Sequence, residues 1–296
     1  MALPAPVNAF LAATRSRSPR ARLVRGILGF TVFVAVTWWA WTSVDGIEME
    51  WGWVVVLFVV GVPLALTISA LEQHASTWLA GVTVSFGSSF RTAVTASAAN
   101  YLPIPGAAIV RIGALSRAGA TTAYATVVAV WLGLEWLAIT AVFVSPQLVV
   151  SDLVVVGAAV GASGVFFTAG MAAWFKRRYP VGTGAVSASL GIVSVRVLFN
   201  GFTAYVGLRA VGATVSAGVA LLVSASSVLA SALGIFPGGL GVREFFAGVL
   251  ASIGDFDPAT AALGAVVTRA TMTVALGITF AWIAVVQRGH HRAGVE

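Results

Sequence analysis

The stretch "FPGGLGVREFF" (residues 236–246) decides how this chain is read. Pro237, Gly238, Gly239 and Gly241 crowd into five positions, and Arg243 and Glu244 follow at once, all within a strongly apolar part of the chain. Proline removes a backbone donor and clashes with the preceding turn, so a helix breaks here. A broken helix at membrane depth is tolerated only where protein or a water-filled cavity surrounds it. The run therefore predicts the tip of a re-entrant helical hairpin.

The surrounding composition makes a membrane the relevant solvent. Of 296 residues, 59% are hydrophobic and 9% charged, against about 25% charged in a soluble domain. Mean hydropathy is +0.97. The net charge of +7 is no nucleic-acid signal, because the basic residues cluster in short segments flanking apolar runs, as topology signals do. The chain has no cysteine, which excludes disulfides, thiol catalysis and cysteine metal sites. Arg15, Arg17, Arg20, Arg22 and Arg25 precede the first long apolar run. No Ala-x-Ala site follows, so a retained anchor is expected.

Six apolar runs approach the roughly 20 residues a bilayer needs: 26–44, 51–71, 121–144, 153–174, 185–208 and 259–286. Two further regions are apolar but interrupted: about 90–115, by "NYLPIPG", and about 215–253, by "FPGG". The expected fold is an all-α polytopic membrane protein, with six full spans and two opposed re-entrant hairpins. Residues 1–25 form a basic arm, 26–286 one transmembrane domain and 287–296 a tail. With both termini in the cytoplasm of a cytoplasmic-membrane protein, Arg91, Arg117 and "KRR" (176–178) lie inside. "VDGIEME" and "GDFDP" then lie outside, with Arg209 as the exception. Counting both hairpins as full spans would put "KRR" outside, against the positive-inside bias.

The interruptions resemble each other. "PGAAIVR" (105–111) and "PGGLGVR" (237–243) share Pro-Gly-x-x-x-Val-Arg, here Pro105, Gly106 and Arg111 against Pro237, Gly238 and Arg243. Each is followed by an apolar span with one central charge, Glu135 in the first case and Arg269 in the second. Three full spans separate the hairpins, so the second copy is inverted relative to the first. Inverted repeats with broken helices near the midplane are a transporter architecture. The alternative is coincidence, since Pro and Gly are frequent in membrane helices.

Arg111, Arg196, Arg243, Arg269, Glu135 and Glu244 all stand in apolar stretches. A charge at the bilayer centre costs about 2.5–3.5 kcal/mol on insertion scales, so these groups must pair or face a wet cavity. Four cations against two anions leave room for an anionic ligand, and arginine's planar fork suits phosphate. The competing reading has the arginines capping helix carbonyls or pairing with the glutamates. Asn100, just before the first interruption, is placed to cap a half-helix or to touch a ligand. "GAAVG" (157–161) fits close helix packing.

"GIFPGGLGVRE" with the later "TAALGAVVTRA" resembles the flippase-like transmembrane family typified by the membrane half of lysylphosphatidylglycerol synthase. The likeness falls on Pro237, Gly238, Gly239, Gly241, Glu244 and Arg269. "NYLPIPGAAIVR" is similar to that family's earlier Asn…Pro…Gly…Arg segment, at Asn100, Pro103 or Pro105, Gly106 and Arg111. In "GLEWLAIT" only Glu135 matches; Trp136 and Ile139 replace the family's arginine and acid, and Ala107 and Ala108 stand where a glutamate is usual. The resemblance implies handling of a phospholipid or polyprenyl-linked lipid, without the soluble aminoacyl-transferase domain.

The leading expectation is translocation of an anionic or phosphate-bearing lipid. Arg111, Arg243, Glu244, Arg269, Glu135 and Asn100 form the head-group site, and Pro105, Gly106, Pro237, Gly238, Gly239 and Gly241 shape the hairpin backbones. No cofactor, metal or nucleic acid is expected. One alternative is a lipid-phosphate-modifying enzyme. His74, His290 and His291 are its only histidines, so Glu135 or Glu244 would have to serve as its base. The other is a non-transporting accessory subunit of a lipid- or glycan-modifying enzyme.

Overall fold

The computed structural model describes residues 19–44, 46, 48–100, 106–233 and 237–293. Among these the chain is all-helical, without strands. The helices are α1 (Pro19–Ser43), α2 (Trp51–Leu79), α3 (Phe86–Ala99), α4 (Gly106–Arg117), α5 (Thr122–Val150) and α6 (Val154–Arg178). They continue with α7 (Thr183–Ala210), α8 (Ala217–Ser224), α9 (Ser226–Leu233), α10 (Val242–Ile253) and α11 (Pro258–Ala293). Six of them, α1, α2, α5, α6, α7 and α11, are long and apolar enough to cross a membrane. The architecture is that of a multi-pass membrane protein. Residues 19–25 and 287–293, read from the sequence as arm and tail, continue the first and last helices.

Local chemistry sets the helix starts. Ser85, Thr121 and Ser216 each accept a hydrogen bond from the backbone three residues on, at 3.2–3.3 Å. Asp257 accepts one from Thr260 N–H at 2.6 Å. These are N-caps that satisfy otherwise orphaned donors. In α2 a π-helical turn, Leu57–Gly61, ends two residues before Pro63. The widened turn accommodates a residue with no N–H and a ring aimed at the preceding carbonyls.

Successive long helices run antiparallel, which gives the bundle two chemically different ends. At one end Tyr124 O–H donates to the Leu79 carbonyl at 2.7 Å, and the Tyr124 and Tyr179 rings stack 4.9 Å apart. This end carries Arg91, Arg117, Lys176, Arg177 and Arg178. At the other end Glu50 N–H donates to the Ala210 carbonyl at 2.9 Å. That end carries Glu48, Glu50, Asp152, Asp255 and Asp257. Arg209 stands among them, 4.0 Å from Glu50 and over the Trp53 ring, which accounts for a basic residue among acids. The shorter helices form two groups: α3 packs with α4, and α8 and α9 pack on α10.

The helices cross closely where glycine permits. Gly157 and Gly161 of α6 lie against Ser145 and Val149 of α5, as the small-residue run predicts. Gly207 of α7 faces Thr268 and Gly264 of α11 so tightly that a Cβ there would fall on the Thr268 hydroxyl. The outer faces are apolar and exposed, for example Val155 at 82% and Phe166 at 77%, which suits lipid contact. Overpacking a filled contact costs about 1–3 kcal/mol. Gly207→Val is therefore expected to lower the thermal unfolding midpoint in detergent by several degrees. Gly170→Ala, with nothing within 4 Å of the added carbon, should leave it unchanged.

Candidate functional site

The turn between α9 and α10 is built by its glycines. Gly238, Gly239 and Gly241 all have positive φ, at 57°, 68° and 76°, where a side chain is strained. Pro237–Gly239 form a single 3-10 turn, and α10 begins at Val242, so Arg243 and Glu244 stand in its first helical turn. A Cβ on Gly241 would lie 2.5–2.8 Å from Val32 and Phe33 of α1. The turn is thus wedged against the middle of α1.

Glu244 holds this turn together. It is fully buried, and its Oε2 accepts from Gly241 N–H at 2.9 Å, the reach-back half of a capping box. Its Oε1 lies 3.2 Å from Arg269 Nε of α11, an ion pair by distance though not by hydrogen-bond angle. Arg269 Nη2 donates to the Gly238 carbonyl. Arg269 Nη1 is buried and makes no hydrogen bond among the described residues. Arg243 turns elsewhere, lining a small cavity with Ala204, Ser224 and Thr268 of α7, α8 and α11.

A second ionic cluster surrounds Arg111. Its guanidinium straddles the Glu72 carboxylate at 3.3 and 3.4 Å. Arg196 of α7 reaches the same carboxylate at 2.8 Å, donates to Ser69 Oγ at 2.9 Å and stacks over the Trp136 ring at 5.7 Å. Glu72 is thus shared by two arginines from two other helices. Glu135 of α5 accepts from Ser189 O–H at 2.6 Å, and its Oε1 is buried without a hydrogen-bond partner among the described residues. It forms no ion pair with an arginine among the described residues.

The two clusters approach each other through the helix-pair tips. A Cβ on Gly238 would lie 3.1 Å from the carbonyl oxygen of Asn100, at the end of α3. Gly106 starts α4, packed against Ala99 of α3 too closely for a side chain. Pro105 lies outside the described residues. The two Pro-Gly motifs differ in form: Gly106 is helical, so Arg111 stands well inside α4, whereas its counterpart Arg243 follows a glycine turn.

Glu72 was absent from the sequence-derived set, which ended the second span at residue 71. α2 continues to Leu79 and buries Glu72. The charge count among the membrane-embedded groups is therefore four arginines to three glutamates, a formal excess of one rather than two. The recurrence of Ser69, Glu72 and Ser76 every three or four residues along one helical face was the available signal. His74 is half-buried, its Nδ1 3.3 Å from Ser89 Oγ and its ring edge-on to Trp78 and Phe86.

No protein-family model matches the chain, and no curated protein matches it.

Removing one partner of a buried ion pair costs about 3–5 kcal/mol, because a charge is left uncompensated. Glu244→Gln and Arg269→Met are each expected to destabilise the detergent-solubilised protein by that order. The double variant should lose clearly less than the sum of the two, by about 1 kcal/mol or more. Equilibrium unfolding of the four proteins measures the coupling.

Proposed function

We propose that the chain is a lipid translocator of the cytoplasmic membrane, moving an anionic or phosphate-bearing lipid such as a phospholipid or a polyprenyl-phosphate-linked lipid. The observation that carries this reading is the meeting of two helix-pair tips, Asn100 with Gly238, between ion clusters at Glu72 and Glu244. In the proposal, α3–α4 and α8–α10 are re-entrant hairpins from opposite membrane faces, related as an inverted repeat. The basic end, with both termini, faces the cytoplasm.

Arg111, Arg196 and Arg269 then serve as the phosphate-binding set. Each already holds a carboxylate, so an arriving phosphate exchanges one anionic partner for another and no bare charge is exposed. Unmet donors, Arg111 Nε and Arg269 Nη1, are available to a ligand oxygen. Phosphate accepts the planar fork as carboxylate does. Arg243 follows the same turn from its own cavity, and Glu135 lends a buried carboxylate beside Ser189. Rocking one hairpin against the other would open the site to one face at a time. The protein acts without chemical change to the lipid.

Proteoliposomes test this directly. The wild-type protein should accelerate exchange of a fluorescent anionic phospholipid or a labelled prenyl phosphate between leaflets. Arg111→Gln should reduce the rate by about tenfold or more, the loss of one charge-assisted contact, while eluting as a folded protein. An inactive wild type, or an Arg111→Gln variant as fast as wild type, contradicts the proposal.

A further inference from the structure

A cavity of about 650 Å3 opens between α2, α3 and α4, within the size range of ligand pockets. It is distinct in character from the lipid-facing surface. Its walls carry the hydroxyls of Thr77, Ser88, Ser89, Thr92 and Thr95, and the guanidinium residues Arg91 and Arg117. Among the described residues, no acidic side chain lines it. Gln73 is next to Glu72 in α2, and Val110, which precedes Arg111, lines it too. The cavity thus runs from the basic end of the bundle to the level of the Glu72–Arg111–Arg196 cluster.

The hydrogen-bonding polarity of this lining is uneven. Thr77, Thr92 and Thr95 have spent their hydroxyl protons on the carbonyls of His74, Ser88 and Arg91, at 2.7–2.9 Å. They face the cavity as acceptors. Gln73 is 2% exposed, and its Oε1 is buried with no hydrogen-bond partner among the described residues. A buried amide oxygen without a donor is costly, and a ligand hydroxyl would relieve it. The lining therefore offers acceptors to a polyol and two cations to an anion. An ammonium group would meet two arginines and no carboxylate among the described lining residues.

We propose that this cavity binds the head group of a lipid that combines a phosphate with free hydroxyls, a phosphopolyol or glycosyl phosphate, and discriminates against head groups bearing an amine. Arg91 and Arg117 take the phosphate, and Gln73 and the threonine oxygens take the hydroxyl protons. Passage of the bound lipid across the membrane rests on the translocation reading; the head-group selectivity stands apart from it.

The test is binding to the purified full chain in nanodiscs, with phosphatidylglycerol or phosphatidylethanolamine as the guest lipid and native mass spectrometry as the readout. Glycerol 1-phosphate, phosphoethanolamine and inorganic phosphate are the soluble probes, read by thermal protection in detergent. Phosphatidylglycerol is expected to be retained at least about tenfold over phosphatidylethanolamine, and glycerol 1-phosphate should protect where phosphoethanolamine does not. Gln73→Leu and the exposed Arg117→Gln should each weaken phosphatidylglycerol retention by about tenfold. Arg117→Gln keeps the test valid if the buried substitution fails to fold. Equal retention of the two lipids, or retention indifferent to Arg117→Gln, overturns the proposal. Protection by inorganic phosphate as strong as by glycerol 1-phosphate also overturns it, by showing a simple anion site. Selective retention without lipid exchange in proteoliposomes supports the cavity and removes the translocation reading instead.

Discussion

The Glu72 carboxylate, shared between Arg111 and Arg196, is the constraint around which one half of the molecule is arranged. A single arginine at the bilayer centre is costly, and two beside each other are worse. Placing one carboxylate between them offsets most of that cost only if α2, α4 and α7 are held in a fixed register. The shared ion pair thus ties a short helix to two long ones. The Trp136 ring over Arg196 and the Ser69 hydroxyl complete the surroundings of the second guanidinium. The triad of two arginines and one glutamate retains a formal positive charge.

The other half solves the same problem differently. There, backbone geometry comes first: three left-handed glycines bring a turn against α1, and Glu244 caps the next helix while facing Arg269. Arg269 in turn holds the Gly238 carbonyl, so the turn and its counter-charge stabilise each other. The two halves are joined where Gly238 meets Asn100.

Much of this was legible in the residues. The six long helices follow from uninterrupted apolar runs, and the glycine turn at 237–241 follows from the Pro-Gly spacing, since few other residues accept positive φ. Close packing at Gly157 and Gly161 was likewise written in small-residue spacing. Glu72 was not legible in the same way, because hydropathy ends a span at the first charge while the helix ignores it. The sharing of Glu72 by Arg111 and Arg196, 85 residues apart in sequence, depends on helix rotation, which periodicity alone does not fix. The similarity of the two Pro-Gly motifs also overstated their likeness: Gly106 lies within a helix and Gly238 within a turn. The open cavity beside α3 was hidden in a run of serines and threonines that reads simply as a polar helix face.

In the proposed arrangement the two short-helix units enter and leave at opposite faces of the membrane. The chain has no cysteine of its own, so single cysteines report sidedness without background. Thr83→Cys and Thr122→Cys flank the α3–α4 pair; Thr214→Cys stands just before α8 and Ser252→Cys at the end of α10. Labelling of right-side-out cells and inverted vesicles with an impermeant maleimide should modify the first two only from the cytoplasmic face and the last two only from the outer face. Modification of Thr83→Cys and Thr122→Cys from opposite faces would contradict the account.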